Sequence, residues 1–244
     1  MKNSLIPSSE GTIVGIDQGV TPLRTPIPIN YKEALAMREI ALSMGSELPR
    51  YLLSPEINLL LSYLPDVRQQ FFFRTLWNAG LRINESLALT RDAFCLDVPV
   101  PFVKVKTLKQ RNRGPGARKK GDTGIRNVPL TDPQYIQAFK EYVASFSITR
   151  ANQLLWDIGS DNTPRNWLNQ AIRRAKSDGV TFTVEPITPH TFRHSFCMHL
   201  ILSGVPLKLV QKYAGHARLE STEIYTQVFL LDAARHYPVN FSDF

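Results

Sequence analysis

The sequence predicts an α+β fold in which helices outnumber strands. Apolar residues recur with helical spacing in several segments that begin or end at capping residues. Two short segments instead alternate apolar and polar residues, and they flank one basic connection, which favours a β-hairpin. With 43% apolar and 20% charged residues in 244, the chain has an ordinary globular composition and can bury a sizeable core. Collagen-like, coiled-coil and largely disordered proteins are therefore excluded.

Residues 1–50 are predicted to be a short N-terminal arm that carries one helix. Residues 1–30 are rich in Ser, Thr, Gly and Pro and show no sustained period, as an extended segment would. An amphipathic helix follows over residues 31–44. Its predicted apolar stripe consists of Ala34, Leu35, Met37, Ile40, Ala41 and Met44.

Residues 51–244 are predicted to form the main domain. Its predicted helices cover residues 56–63, 66–78, 83–89, 132–145, 163–176, 190–202, a short stretch from residue 206, and residues 221–228 and 232–236. Gly80, Gly179 and Gly204 follow three of them and are suited to left-handed caps. Residues 101–106 and 125–130 are the two predicted strands of the hairpin. The consecutive Phe71, Phe72 and Phe73 are expected in the core.

The charge of the chain indicates a polyanionic partner. Lys and Arg number 29 against 21 acidic residues, for a net charge of +8, and residues 1–50 are balanced, so the excess lies in residues 51–244. A basic run of this kind can also be a solvated loop; if it contacts phosphates, binding will depend steeply on salt. The candidate DNA-binding residues are Lys104, Arg111, Arg113, Arg118, Lys119, Arg126, Arg173 and Arg174.

Cysteine usage and hydropathy favour a cytoplasmic protein. Cys95 and Cys197 lie far apart and cannot form a disulfide framework or a four-thiolate zinc site. No segment approaches the roughly 18 consecutive apolar residues of a membrane span, and the N-terminus lacks a signal-peptide pattern. We therefore expect no membrane association.

Two candidate motifs lack residues that ligand binding would require, so neither a cofactor nor a metal is expected. Residues 116–121 have the glycine spacing of a phosphate-binding loop, but Asp122 and Thr123 follow where that motif needs Lys and then Ser or Thr. His190 and His194 are four residues apart and could share a metal ion. Arg193 lies between them and no glutamate stands beside the first histidine, so packing or phosphate chemistry is favoured over zinc.

Four short segments form a more specific pattern. They read GLRINE over residues 80–85, HTFR over 190–193, AGH over 214–216 and STEIYT over 221–226. Together they resemble the tyrosine recombinase (phage integrase) family, whose signature is an arginine, then HxxR, then GH, then a tyrosine nucleophile. The resemblance covers about residues 52–236. It implies a tyrosine-recombinase catalytic domain, mostly helical with a small antiparallel sheet, that breaks and rejoins DNA strands.

The chemistry of phosphodiester cleavage is consistent with this resemblance. Without a metal, positive groups must neutralise the non-bridging oxygens; arginines can donate paired hydrogen bonds and histidines single ones. A tyrosine is a poor nucleophile at neutral pH until its proton leaves or its charge is stabilised. The predicted catalytic residues are Arg82, His190, Arg193, His216 and the nucleophile Tyr225, with Glu85 orienting Arg82.

The general acid for the 5′-oxygen leaving group is left open among three lysines. In the family this residue lies in the β-hairpin turn. Lys109 is the first choice because it follows the first strand closely. Lys106 is the alternative counted from that strand, and Lys120 is the alternative counted back from residues 128–130.

The resemblance also implies partners and a biological role. The partner is a double-stranded DNA recombination site bound by a homo-tetramer, with the tail 229–244 docked on a neighbouring protomer. Residues 1–50 are too short for the family's N-terminal DNA-clamping domain, so either the arm substitutes for it or an accessory DNA-binding protein does. The arm and the ending are similar to those of F-type plasmid resolvases, which implies resolution of plasmid multimers and a role in plasmid partition. A type IB-like topoisomerase and a non-catalytic DNA-binding regulator are the alternatives.

Overall fold

The computed structural model describes residues 28–43, 48–107 and 124–229, and within them the α+β prediction with helices in excess is confirmed. The helices are α1 (Tyr31–Ser43), α2 (Ser54–Ser62), α3 (Val67–Ala79), α4 (Ile83–Leu87), α5 (Pro133–Ser145), α6 (Asn162–Ser177), α7 (Pro189–Leu202), α8 (Leu207–Ala214) and α9 (Glu220–Glu223). Shorter 3₁₀ segments cover Arg91–Ala93 and Ile224–Phe229, and the strands are β1 (Phe94–Cys95), β2 (Phe102–Lys106) and β3 (Ile125–Pro129).

Helix α3 lies at the centre of the fold. The Asp66 side chain caps its start by accepting a hydrogen bond from the Gln69 amide at 2.9 Å, which satisfies one of the free amides of the first turn. Phe71, Phe72 and Phe73 are all buried, as predicted. Three consecutive buried residues require neighbours on all sides of a helix, and α3 packs against α2, α4, α5 and α7.

The predicted hairpin is present, and its open end lies near the end of β2. Strands β2 and β3 pair antiparallel with Val103 opposite Val128 and Lys106 opposite Ile125. The two-residue strand β1 adds to the outer edge of β2 and was not predicted, because two residues show no alternation. Residues 108–123 of the basic connection lie outside the described residues.

Helix α1 packs on the main domain through an arginine. Ala34, Arg38 and Ala41 are its buried residues; they recur at i, i+4 and i+7 and so share one face. Arg38 forms a two-bond ion pair with Glu56 at 2.8 and 2.9 Å. Ile40, predicted to lie in the apolar stripe, is 47% exposed. That prediction is wrong because Arg38, with its paired charge, sets the buried face.

The last described segment differs from the helix predicted there. The helix predicted over residues 221–228 is α9 followed by the 3₁₀ helix Ile224–Phe229, which packs against α1. The helix predicted over 232–236, the tail after Phe229 and residues 1–27 of the arm lie outside the described residues. Among the described helices none is long and apolar enough to cross a membrane. The domain boundary at residue 50 stays a prediction.

Candidate active site

Glu85 is the buried centre of a cluster of arginines. It lies in α4 directly after α3, and both of its carboxylate oxygens accept hydrogen bonds from the guanidinium group of Arg126, at 3.0 and 2.6 Å. Arg82 donates its backbone amide and its Nη1 to the same carboxylate, each at 2.9 Å. Burial alone would raise the pKa of Glu85, but Arg126 and then Arg82 lower this pKa to about 2. Glu85 is therefore ionised and fixes two arginines.

Arg193 joins this cluster from α7 and is fully buried. Its Nη1 donates to the Gly80 carbonyl at 2.6 Å, its Nη2 donates to the Ala214 carbonyl, and it lies 4.0 Å from Glu85. Burial and the neighbouring Arg82 lower the pKa of Arg193 to about 10, so it is still charged at neutral pH. Three guanidinium groups around one carboxylate leave a surplus of two positive charges, which favours binding of an anion.

The three arginines differ in what they can reach. The Arg82 side chain is 37% exposed, whereas those of Arg126 and Arg193 are 9% and 1% exposed. Arg82 is therefore the one of the three that faces solvent. Arg193 is buried, and its hydrogen bonds to the two backbone carbonyls use two of its five N–H groups, so N–H groups remain for an anion that enters the site.

Two histidines lie beside the arginines. His190 has an exposed edge at the start of α7, and partial desolvation of its ring together with Arg193 and Arg82 lowers its pKa. His216 follows the glycine that ends α8, and its Nδ1 lies 2.9 Å from the Thr222 hydroxyl. Burial and Arg193 lower the pKa of His216 to about 4. Both rings are therefore neutral near pH 7, and arginines supply the positive charge.

Tyr225 lies in the 3₁₀ helix Ile224–Phe229 and is buried, with 1% of its surface exposed. Its hydroxyl lies 2.6 Å from Nδ1 of His194. Burial raises the pKa of Tyr225 above its ordinary value. The described residues bring Arg82, Glu85, His190, Arg193, His216 and Tyr225 together, as a single site requires.

His194 is a residue of this site that the sequence did not indicate. The pair His190 and His194 was visible as a helical repeat, but the pattern offered only packing, phosphate chemistry or zinc. The partner that defines His194 is 31 residues away in the chain, so no local spacing could identify it. Within the described ranges no group of three or more His, Cys, Asp or Glu side chains is placed to hold a metal ion.

The candidate DNA-binding residues fall into three groups. Lys104 is exposed on β2, and Arg173 and Arg174 are exposed on α6. Arg126 faces inward to Glu85, because alternation along β3 places it on the same face as the buried Val128. Its geometry therefore favours support of Glu85 over the predicted surface contact with DNA. The remaining DNA-binding candidates lie outside the described residues: Arg111, Arg113, Arg118 and Lys119. The general-acid candidates Lys109 and Lys120 also lie outside them.

The hairpin enters the site at the end of β2. The Thr107 hydroxyl lies 3.5 Å from Nη1 of Arg126, and its amide donates to the Gly124 carbonyl at 3.0 Å. The connection that carries Lys109 and Lys120 therefore leaves and rejoins the described structure next to the arginine cluster. Lys106 is the last residue of β2 and is exposed. The choice among the three lysines stays a prediction.

Comparison with known proteins places the chain in a family. Residues 50–230 match the phage integrase family. A protein named Resolvase from Escherichia coli is 44% identical over 90% of this chain and 89% of its own length. A second Resolvase, from Escherichia coli strain K12, is 42% identical over 99% of this chain and 95% of its own length.

Solved structures agree with this placement. The XerH site-specific recombinase bound to difH substrate, in a pre-cleavage complex, superposes with a TM-score of 0.56 at 25% identity. That match covers 77% of this chain and 53% of the XerH chain, so this chain spans about half the length of that protein. The match over residues 50–230, with the identity to both resolvases, settles the classification. The chain belongs to the phage integrase family and is a tyrosine site-specific recombinase.

Proposed function

We propose that this protein cleaves and rejoins double-stranded DNA at a specific site through a 3′-phosphotyrosyl intermediate on Tyr225. The observation that carries the proposal is the Glu85 cluster: three arginines around one carboxylate, with two neutral histidines and a tyrosine beside them. A phosphodiester carries one negative charge on its non-bridging oxygens, and that charge grows as the phosphorus becomes five-coordinate. A fixed cationic site lowers the free energy of that transition state more than that of the ground state.

The arginines and histidines of the site each contact the phosphate in a different way. Arg82 and Arg193 hold the non-bridging oxygens, Arg193 through N–H groups that its two backbone carbonyl partners leave free. The Thr222 hydroxyl can donate to Nδ1 of His216, 2.9 Å away, which leaves Nε2–H of His216 free to donate to a phosphate oxygen. His190 adds a further single hydrogen bond. Losing one such donor typically costs about 2.7–4 kcal/mol of transition-state stabilisation.

The covalent step is a phosphoryl transfer that needs no energy source. The Tyr225 hydroxyl gives its proton to solvent water and attacks phosphorus, an Oη–P bond forms, and the bond from phosphorus to the 5′-oxygen breaks. A hairpin lysine gives the leaving oxygen its proton; Lys109 is our first choice, with Lys106 and Lys120 as alternatives. Attack by a 5′-hydroxyl on the phosphotyrosine reverses these changes and rejoins a strand, so the phosphate bond energy is retained.

We further propose a biological role in the resolution of plasmid multimers. The support is the identity to two proteins named Resolvase over nearly their whole length. Strand exchange needs two cleaved duplexes held together, so the active unit is a homo-tetramer in which the tail 229–244 docks on a neighbour. An accessory DNA-binding protein or the N-terminal arm completes the grip on DNA, and the work takes place in the cytoplasm.

Plasmid form in living cells tests this role with any accessory protein present. Cells that carry the source replicon are supplied with either the wild-type protein or Tyr225→Phe, and plasmid monomers and multimers are separated by gel electrophoresis. We expect monomers with wild type and accumulating multimers with Tyr225→Phe. Monomers in equal yield with Tyr225→Phe would contradict the proposed chemistry, and multimers in both strains would contradict the proposed role.

A further inference from the structure

The hydroxyl of Tyr225 is held by a residue that the catalytic set does not use. His194 Nδ1 lies 2.6 Å from this oxygen, a short distance for a hydrogen bond between neutral groups. The phenol is therefore held by α7, and its side chain is shielded from solvent.

Tyr225 keeps its proton in this contact, because burial raises the pKa of its hydroxyl above the ordinary value. His194 is packed among His190, Arg193 and His216, and burial followed by these neighbours lowers the pKa of His194 to about 3. In the tautomer of neutral His194 that carries its proton on Nε2, the bare Nδ1 accepts the hydrogen bond that the phenol donates. Taking the proton from Tyr225 would place a further positive charge among cations, so His194 is suited to hold the hydroxyl rather than to deprotonate it.

The held position is beside the anion site but not open to it. His194 follows Arg193 directly, and its ring packs edge-to-face on the ring of His190 with 4.4 Å between centroids. Arg82 and His190 form the exposed side of the site, whereas only 1% of the Tyr225 surface is exposed. Because DNA approaches from solvent, a phosphate on the exposed side cannot contact Tyr225 while that residue is buried.

We propose that His194 is a positioning residue that keeps the Tyr225 hydroxyl protonated in a buried resting place, which the nucleophile leaves when a phosphate occupies the arginine site. This inference rests on the proposed function, because it assigns His194 a part in cleavage by Tyr225. It gives the site a low rate of strand cleavage until DNA is bound in place.

The contact itself can be measured without DNA. In protein labelled with ¹⁵N-histidine, the Tyr225 hydroxyl proton should appear as a slowly exchanging downfield signal with a through-bond coupling to Nδ1 of His194. Tyr225→Phe should remove this signal. A wild-type spectrum without that coupling would overturn the inference, and this experiment needs no substitution at His194.

The consequence for cleavage is tested with two substitutions of His194. His194→Phe keeps a planar ring but removes the acceptor, whereas His194→Asn retains an acceptor near the position of Nδ1. Each is incubated with supercoiled plasmid of the source replicon, quenched in detergent at set times, and assayed for covalently bound protein; thermal melting verifies folding. We expect His194→Phe to form adduct about tenfold faster than wild type, since about one net hydrogen bond is lost from the resting state, and His194→Asn to stay near wild type.

The outcomes separate this inference from the proposed function. An unchanged or slower rate in folded His194→Phe would overturn the resting role, and a slower rate would assign His194 to the cleavage step itself. If the wild type forms no adduct at all, the proposed function fails, while the coupling between His194 and Tyr225 still decides whether the contact exists.

Discussion

Glu85 determines how the arginines of the site are arranged. It is ionised in a buried position and accepts hydrogen bonds from Arg82 and Arg126, with Arg193 at 4.0 Å. A buried carboxylate is costly unless it is fully paired, and here three guanidinium groups offset that cost. The same carboxylate orients Arg82, so stability and geometry of the site depend on one residue.

Replacing Glu85 with Gln should therefore destabilise the protein strongly. The change leaves Arg126 and Arg193 buried without their counter-charge, and breaking a buried pair typically costs about 3–5 kcal/mol. Urea denaturation measures the effect, with the exposed Glu39 changed to Gln as the matched control. Glu39→Gln should stay within about 0.5 kcal/mol of wild type; equal stability of the two variants would contradict the role of Glu85.

At the scale of elements, α7 holds two other helices in place through Arg193. Helices α3 and α8 end at Gly80 and Gly215, both with positive φ, and Arg193 donates to the Gly80 carbonyl and to the Ala214 carbonyl. At Gly80 the packing is as restrictive as the backbone, because a Cβ there would overlap the Phe196 ring. The close approach of α3 to α7 thus requires glycine.

Gly80→Ala should destabilise the protein much more than Gly179→Ala, which introduces similar backbone strain without steric overlap. Gly179 provides the comparison, since it has φ +81 and open space where its Cβ would lie. Left-handed strain costs each variant about 1–2 kcal/mol, and overpacking against Phe196 adds about 1–3 kcal/mol to Gly80→Ala only. Urea denaturation of both variants measures the difference, and equal losses would show that Phe196 moves away freely.

At the scale of the whole molecule, the site is a product of tertiary packing. Its groups come from the end of α3 and α4, from β3, from α7, from the turn after α8 and from the 3₁₀ helix Ile224–Phe229. Helix α1 packs against this last segment and is fixed by the ion pair of Arg38 with Glu56. The N-terminal helix therefore supports the segment that carries Tyr225.

Local patterns in the sequence predicted the regular elements well. Glycine caps and apolar periodicity placed α3, α6 and α7 within one or two residues, and alternation placed β2 and β3. The catalytic candidates could be predicted because the family signature consists of short sequence motifs. Three features could not be predicted from local sequence. Strand β1 is too short to show an alternation of apolar and polar residues, and Arg38 is buried because it forms an ion pair with Glu56. His194 contacts Tyr225, which lies far from it in the sequence.

The most direct measurement is the identification of the amino acid that becomes bonded to DNA. Wild-type protein is incubated with plasmid of the source replicon and quenched in detergent, the covalent complex is digested with nuclease and protease, and the modified peptide is sequenced by mass spectrometry. We predict a nucleotide attached through phosphate to Tyr225 and no such peptide from Tyr225→Phe. A nucleotide on any other residue, or an adduct formed equally by Tyr225→Phe, would contradict the assignment of Tyr225 as the nucleophile.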